Sequence, residues 1–169
     1  MSDAVDFVMA QWAQERPDLE LSAMAVVGRL HRSTRLISRQ LREHFKAEGI
    51  EEWEFDMLAT LRRSGAPWTL SPKDLVATTM VGSSALTHRV DLLLEREWLT
   101  REINPNNRRE VLLTLTQGGI DLVDRVLEGH IRNERHQIAG LSATEQEQLN
   151  LLLRKLLLSL GDVSTSGRR

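Results

Sequence analysis

A mainly α-helical chain with one β-hairpin is the fold class this sequence predicts, and three observations carry the prediction. Apolar residues recur at helical spacing through most of the 169 residues. Between about residues 72 and 99 two helical patterns follow one another, separated only by the turn at Val81–Gly82. Directly after them, LTREINPNNRREVLLTLT (residues 99–116) changes period: Val111, Leu113 and Leu115 alternate behind a Pro-Asn-Asn turn, which reads as a hairpin. Two helices and a hairpin in that order make a winged helix-turn-helix.

The elements follow in chain order. Residues 4–15 place Val5, Val8, Met9 and Trp12 on one helical face, and Pro17 ends the pattern. A second helix is expected from about residue 22 to 48, stopped by Gly49. One side of it is Val27, Leu30, Thr34, Ile37, Leu41 and Phe45. The other carries Arg29, Arg32, Arg35, Arg39, Arg42 and Lys46 against Glu43 alone, a stripe that suits a solvated face or a polyanion. A third helix covers residues 51–63, where Glu51, Glu52 and Glu54 favour the positive end of the helix dipole. Ser71 and Pro72 form a helix start, serine as cap and proline in the first turn.

The stretch SSALTHRVDLLLEREWL (residues 83–99) reads as an amphipathic helix with Ser83 as its cap. Leu86, Val90, Leu93 and Leu94 form its apolar stripe, and Ser84, His88 and Asp91 point away. Arg89 lies on the shoulder of that stripe, where a guanidinium calls for an anion. Beyond the hairpin a long helix is expected over residues 117–140, with Ile120, Val123, Leu127, Ile131 and Ile138 on one face. Ser142 and Glu145 form a capping box for a last helix. Its leucines, Leu149, Leu152, Leu153, Leu156, Leu157 and Leu160, are more than one protomer surface can bury. A central core helix and a subunit interface both fit; the breadth of the face favours the interface. Residues 163–169 read as a disordered tail. The whole is expected to be one domain over 1–162, with a winged lobe at about 51–116 and dimerisation helices at about 4–48 and 117–161.

Composition narrows the function. No cysteine is present, which excludes disulfides, thiolate zinc sites and cysteine nucleophiles. The five histidines show no metal-ligand spacing, and no nucleophile context is visible, so neither a cofactor, a metal nor an enzymatic activity is expected. No apolar run approaches a membrane span and the first residues are acidic where a signal peptide would be basic, so the cytoplasm is the expected location. The net charge of −2 decides nothing by itself, but basic and acidic residues are segregated along the chain.

The stretch PKDLVATTMVGSSALTHRVDLLLEREWLTREINPNNRREVLLTLTQGG resembles the DNA-binding lobe of the multiple antibiotic resistance regulator (MarR) family, and the likeness extends over about residues 20–160. That family consists of helical, dimeric bacterial transcription factors with a winged helix. The resemblance implies that Ser83, Ser84, Thr87 and His88 face the major groove and that Arg108 and Arg109 at the wing tip meet phosphate or the minor groove. A homodimer would then read a pseudo-palindromic operator in duplex DNA. The chain has Asn107 where the family often has an aspartate, and Glu97–Trp98 where a glycine is common, so the wing and the exit from the recognition helix are expected to differ.

The stretch RPDLELSAMAVVGRLHRSTRLI, preceded by a helix carrying Trp12, is similar to the PecS-like, urate-responsive branch of that family. This likeness implies a pocket of Trp12, Asp56, Arg63 and Arg89 for urate or a similar small aromatic anion, with Asp56 as the partner of Arg89 in the empty state. The spacing agrees: Asp56 and Arg63, seven apart, share a helix face that Arg62 does not. The sequence thus points to a repressor released from DNA by such an anion. A regulator answering another phenolic ligand, and a helical scaffold that binds an acidic partner, are the alternatives.

Overall fold

A computed structural model describes residues 1–78 and 86–163. Ser83 and Ser84, the turn at Val81–Gly82 and nearly all of the expected disordered tail lie outside the described residues. The elements run α1 (Ala4–Glu15), α2 (Ser22–Ala47), α3 (Glu52–Arg63), β1 (Thr69–Leu70), α4 (Pro72–Thr78), α5 (Leu86–Glu95), β2 (Leu99–Ile103), β3 (Val111–Leu115), α6 (Gln117–Gln137) and α7 (Ala143–Ser159). Two compact units result, Met1–His130 and Ile131–Arg169.

In the first unit, α1 begins at a capping box in which Asp3 accepts from the backbone N–H of Val5 and of Asp6. Arg29 of α2 reaches both Asp3, at 2.8 Å, and Asp6, closing α1 onto α2. One cation of the α2 stripe is therefore already neutralised. The expected apolar side of α2 is buried only toward its C-terminal end. Phe45 is in the core and Leu41 packs against it, whereas Val27 and Ile37 remain exposed. Gly49, at φ 76°, then stops the helix in the left-handed conformation that glycine tolerates.

The winged lobe is built on leucine. Leu58 and Leu61 of α3, Leu75 of α4, Leu93 of α5 and Leu113 of β3 are fully buried and meet in one core. Each burial contributes about 1.5–3 kcal/mol. The three strands run antiparallel in the order β1-β3-β2, with Leu99 opposite Leu115 and Ile103 opposite Val111. Strand β1, unforeseen in the sequence, is pinned by a 2.8 Å hydrogen bond between the hydroxyls of Thr69 and Thr114. Glu54, read from the sequence only as part of an acidic helix start, is 2% exposed. Its carboxylate accepts from the Glu51 N–H at 2.8 Å and lies 3.4 Å from Arg96 at the far end of α5.

The chain leaves α5 by a left-handed turn of the kind glycine adopts most readily. The Trp98 N–H reaches the Leu93 carbonyl at 3.1 Å and the Glu97 N–H reaches Leu94 at 2.9 Å, while Glu97 adopts φ 57°. Glu97 thus adopts the left-handed conformation that glycine takes most readily, at a cost of about 1–2 kcal/mol. Thr116 secures the junction: its hydroxyl donates to the Glu97 carbonyl at 2.8 Å and accepts from Gly119 N–H at 3.0 Å. A Cβ on Gly119 would fall inside contact distance of the Trp98 carbonyl oxygen and 3.1 Å from Leu115. Gly119→Ala is accordingly expected to cost about 2 kcal/mol by overpacking, or roughly 4–8 °C in Tm for a chain of this size, measured by thermal unfolding. An unchanged Tm would mean that α6 does not approach Trp98 this closely.

In the second unit, the expected capping box of α7 is present, with Ser142 accepting from Glu145 N–H and the Glu145 carboxylate accepting from Ser142 N–H at 2.8 Å. The bond from Ser142 holds the Glu145 carboxyl below its ordinary pKa. No residue of α7 is buried. A central core helix within the protomer is therefore not what this segment forms. Helix α6 ends at Gln137, three residues earlier than read from the sequence, and Ile131 and Ile138 are exposed.

Candidate functional site

Helix α5 divides the candidate site into two sides. Thr87 and His88 are exposed, Val90 and Leu93 are buried, and Arg89 is half-buried between these faces. The outward face also carries Asp91, whose carboxylate lies 3.9 Å from Arg101 of β2. This pairing of recognition helix and wing strand tempers a negative charge on a surface otherwise suited to phosphate.

The wing tip is fixed by amides. Asn104 Nδ2 donates to the Glu110 carboxylate at 2.5 Å, and its Oδ1 accepts from the Asn106 N–H at 2.9 Å. Asn107 Oδ1 accepts from the Arg109 N–H at 3.2 Å, an Asx turn in place of the ion pair that an aspartate would offer. Backbone bonds from Asn107 to Asn104 and from Glu110 to Asn107 complete the loop. Arg108 and Arg109 are exposed, and no ion pair among the described residues engages either. Two guanidinium groups on a rigid turn can meet phosphate oxygens or enter a narrow minor groove.

The inward side is organised by α3. Trp53, Asp56 and Arg63, at i, i+3 and i+10, lie along one face of that helix. Arg62 points elsewhere: it makes a two-pronged pair with Asp124 of α6 at 2.9 and 3.0 Å, which raises its pKa, and it lies over the Trp68 ring. Arg63 is exposed and its Nη2 donates to the carbonyl of Thr78, the last residue of α4, at 2.5 Å. The Arg89 guanidinium sits 5.2 Å from the centroid of the Trp53 ring, within cation–π range. The described contact of Arg89 is thus with Trp53, where the sequence pointed to Asp56.

Arg63 and Arg89 therefore contact different parts of the helix-turn-helix pair, one through the end of α4 and one along α5. Asp56 is half-buried on the α3 face between Trp53 and Arg63. Trp12 stands on α1 with 43% of its surface exposed, and its described backbone role is to accept, through its carbonyl, the N–H of Arg16 at 2.7 Å. The structure places Asp56 and Arg63 on α3, ties Arg63 to the end of α4 and sets Arg89 over Trp53 of α3, while Trp12 stands on α1. Trp53 was missed in the sequence, although its spacing to Asp56 and Arg63 was visible there.

Each unit exposes apolar side chains. In the first, Phe7, Val8 and Trp12 on α1, and Met24, Val26 and Leu36 on α2, are exposed. In the second, Leu152 of α7 is 66% exposed and Leu160, its C-cap, 73%. Among the described residues no group of side chains could hold a metal ion, and no helix is long and apolar enough to cross a membrane.

Comparison with known proteins bears on both sides of the site. The MarR family model matches residues 50–111, from the start of α3 to the start of β3. The chain is 42% identical over 149 residues to the HTH-type transcriptional regulator PecS of Dickeya dadantii (strain 3937), covering 88% of this chain and 90% of that protein. Its fold matches that of a mutant MarR from E. coli complexed with operator DNA, with a TM-score of 0.68 and 25% identity over 92% of this chain and 99% of the other. It also matches BpsR of Bordetella bronchiseptica, from a study of how 6-hydroxynicotinic acid regulates that protein's DNA binding. There the TM-score is 0.69 and the identity 25%, over 78% and 91% of the two chains.

Proposed function

Because this chain belongs to the MarR family of DNA-binding transcriptional regulators, we propose that it is a homodimeric repressor in the cytoplasm whose operator affinity falls when urate or a similar small aromatic anion binds. A transcription regulator, rather than an enzyme or a scaffold, is what the likeness to PecS over most of both chains indicates. The observation that carries the ligand reading is the division of α5. His88 faces outward while its neighbour Arg89 turns inward onto the α3 face that bears Asp56 and Arg63. One ten-residue helix thus presents a base-reading side and an anion-receiving side.

The two arginines give the coupling a route. An anion that engages Arg63 competes with the Thr78 carbonyl at the end of α4, and one that engages Arg89 acts directly on α5. Both helices belong to the DNA-reading pair, and small displacements in a packed interface can change the spacing of two lobes. Only a difference in ligand affinity between the DNA-bound and released states can drive the release. A planar aromatic acid suits the site because a guanidinium edge pairs with a delocalised anion. That 6-hydroxynicotinic acid, another aromatic acid, regulates DNA binding by BpsR is consistent with this ligand class.

DNA recognition is assigned to Thr87 and His88 in the major groove, with Ser83 and Ser84 proposed from sequence, and to Arg108 and Arg109 at the wing. Binding of the full chain to the DNA upstream of its own gene, measured over a range of salt, tests the assignment. Arg109→Ala is expected to weaken binding to all sequences and to lower the slope of log affinity against log salt by about one, since each lost phosphate contact retains one counterion. Thr87→Ala or His88→Ala should instead change sequence preference, by about 1–3 kcal/mol per base contact. An unaltered salt slope in Arg109→Ala would remove the wing from the interface.

A further inference from the structure

We propose that Trp53 is a positioning residue of the anion site, holding Arg89 in the orientation that receives a planar anion. The proposal rests on the reading of Arg89 as an anion receptor and adds a residue that neither the spacing of charges nor the family likeness assigned.

A guanidinium can be held in two ways. A carboxylate partner uses its N–H edge, the same edge that an incoming anion needs. An aromatic ring instead engages the flat face and leaves the in-plane donors directed outward. The Arg89 guanidinium carbon lies over the Trp53 ring, 5.2 Å from its centroid, and among the described residues no ion pair engages it. A half-buried arginine held over a tryptophan ring is restrained without a carboxylate on its N–H edge.

Trp53 is itself well anchored. It sits in the first turn of α3, after a capping box whose Glu54 is buried and whose other carboxylate oxygen faces Arg96. Its ring is half-buried and packs against the leucine core of the lobe. The α3 face that carries it carries Asp56 and Arg63 as well, so the guanidinium is held beside the rest of the proposed site. Holding a long, flexible side chain in its binding geometry before the ligand arrives removes part of the ordering cost of association.

A tryptophan that served only to fill the core would affect ligand binding through general loosening, equally whatever stood at position 89. The two roles separate in a double-mutant cycle read by calorimetric titration of the full chain with urate. Trp53→Leu is expected to weaken urate binding about tenfold, the upper range for a desolvated cation–π contact. Trp53→Phe, which keeps a ring, should stay within about threefold of wild type. In an Arg89→Lys background, where no planar fork remains to orient, Trp53→Leu should cost less than about threefold. Thermal unfolding of each variant establishes that it is folded, and Trp53→Met, which also lacks a ring, carries the comparison with the same expectations where Trp53→Leu is not. An equal loss in the Arg89 and Arg89→Lys backgrounds overturns the proposal, as does a Trp53→Leu affinity equal to wild type, while the ligand reading stands. A wild-type chain that binds no urate overturns both.

Discussion

Replacing Leu152 and Leu160 by glutamate is expected to give a monomer in sedimentation and to abolish operator binding. Both side chains are mostly exposed in the protomer, at 66% and 73%, so the substitutions leave its own packing untouched. If α7 instead meets its counterpart across a two-fold axis, each substitution buries unpaired carboxylates twice. Every such group opposes association by several kcal/mol. Operator affinity should then fall by more than about a hundredfold, because one lobe reads one half-site and forfeits the second. Deleting residues 142–169 should likewise give a monomer or an aggregate that does not bind DNA. A Leu152→Glu, Leu160→Glu protein that still sediments as a dimer would place the interface elsewhere, with the exposed Phe7, Met24 and Val26 of α1 and α2 as the next surface to test.

The second large effect concerns the ligand. Arg89→Ala is expected to leave the repressor on its operator at a urate concentration that releases the wild type, and Trp12→Phe to do the same. A usable switch needs a coupling of about 1–3 kcal/mol, so urate should shift wild-type operator affinity by roughly 5–150-fold and the Arg89→Ala value by less than twofold. For Arg89 the expectation follows from its place on α5 over the Trp53 ring, since Arg96, which also faces α3, is paired with the buried Glu54. For Trp12 it follows from the family likeness and from an indole that stands 43% exposed on α1. Fluorescence anisotropy of labelled operator, with and without urate, measures both. Should Arg89→Ala and Trp12→Phe release DNA at the wild-type urate concentration, the pocket lies elsewhere and Arg89 is a structural partner of Trp53.

The helices and hairpin were legible in the sequence because their signals are local. Ser71 and Ser142 cap where short polar side chains precede apolar runs, and Gly49 stops α2 by its own backbone freedom. What depends on distant residues was not legible. Strand β1 is two residues long and exists because Thr69 and Leu70 meet Thr114 and Leu113. Glu54 lies among other acids at a helix start; its burial comes from closure against Arg96, forty-two residues on (96 minus 54). Glu97 carries no mark of the left-handed turn it makes, since the strain is offset by the Thr116 and Trp98 bonds around it.

The candidate site follows the same division. Spacing alone puts Asp56 and Arg63 on one face and sends Arg62 away, and the Arg62–Asp124 pair agrees with that geometry. Spacing also puts Trp53 on the face with Asp56, but only the tertiary packing of α3 against α5 brings Arg89 onto its ring. The tie from Arg63 to the Thr78 carbonyl ends on backbone, which no pattern of side chains could announce.

The central claim is that one protein both binds its operator and is released from it by a planar aromatic anion. Titrating urate into the purified full chain bound to the DNA upstream of its own gene, at fixed salt, tests that claim most directly. The account predicts saturable release of the wild type, absent in Arg89→Ala. Operator affinity that stays constant up to saturating urate, or no affinity for that DNA at low salt, would contradict it.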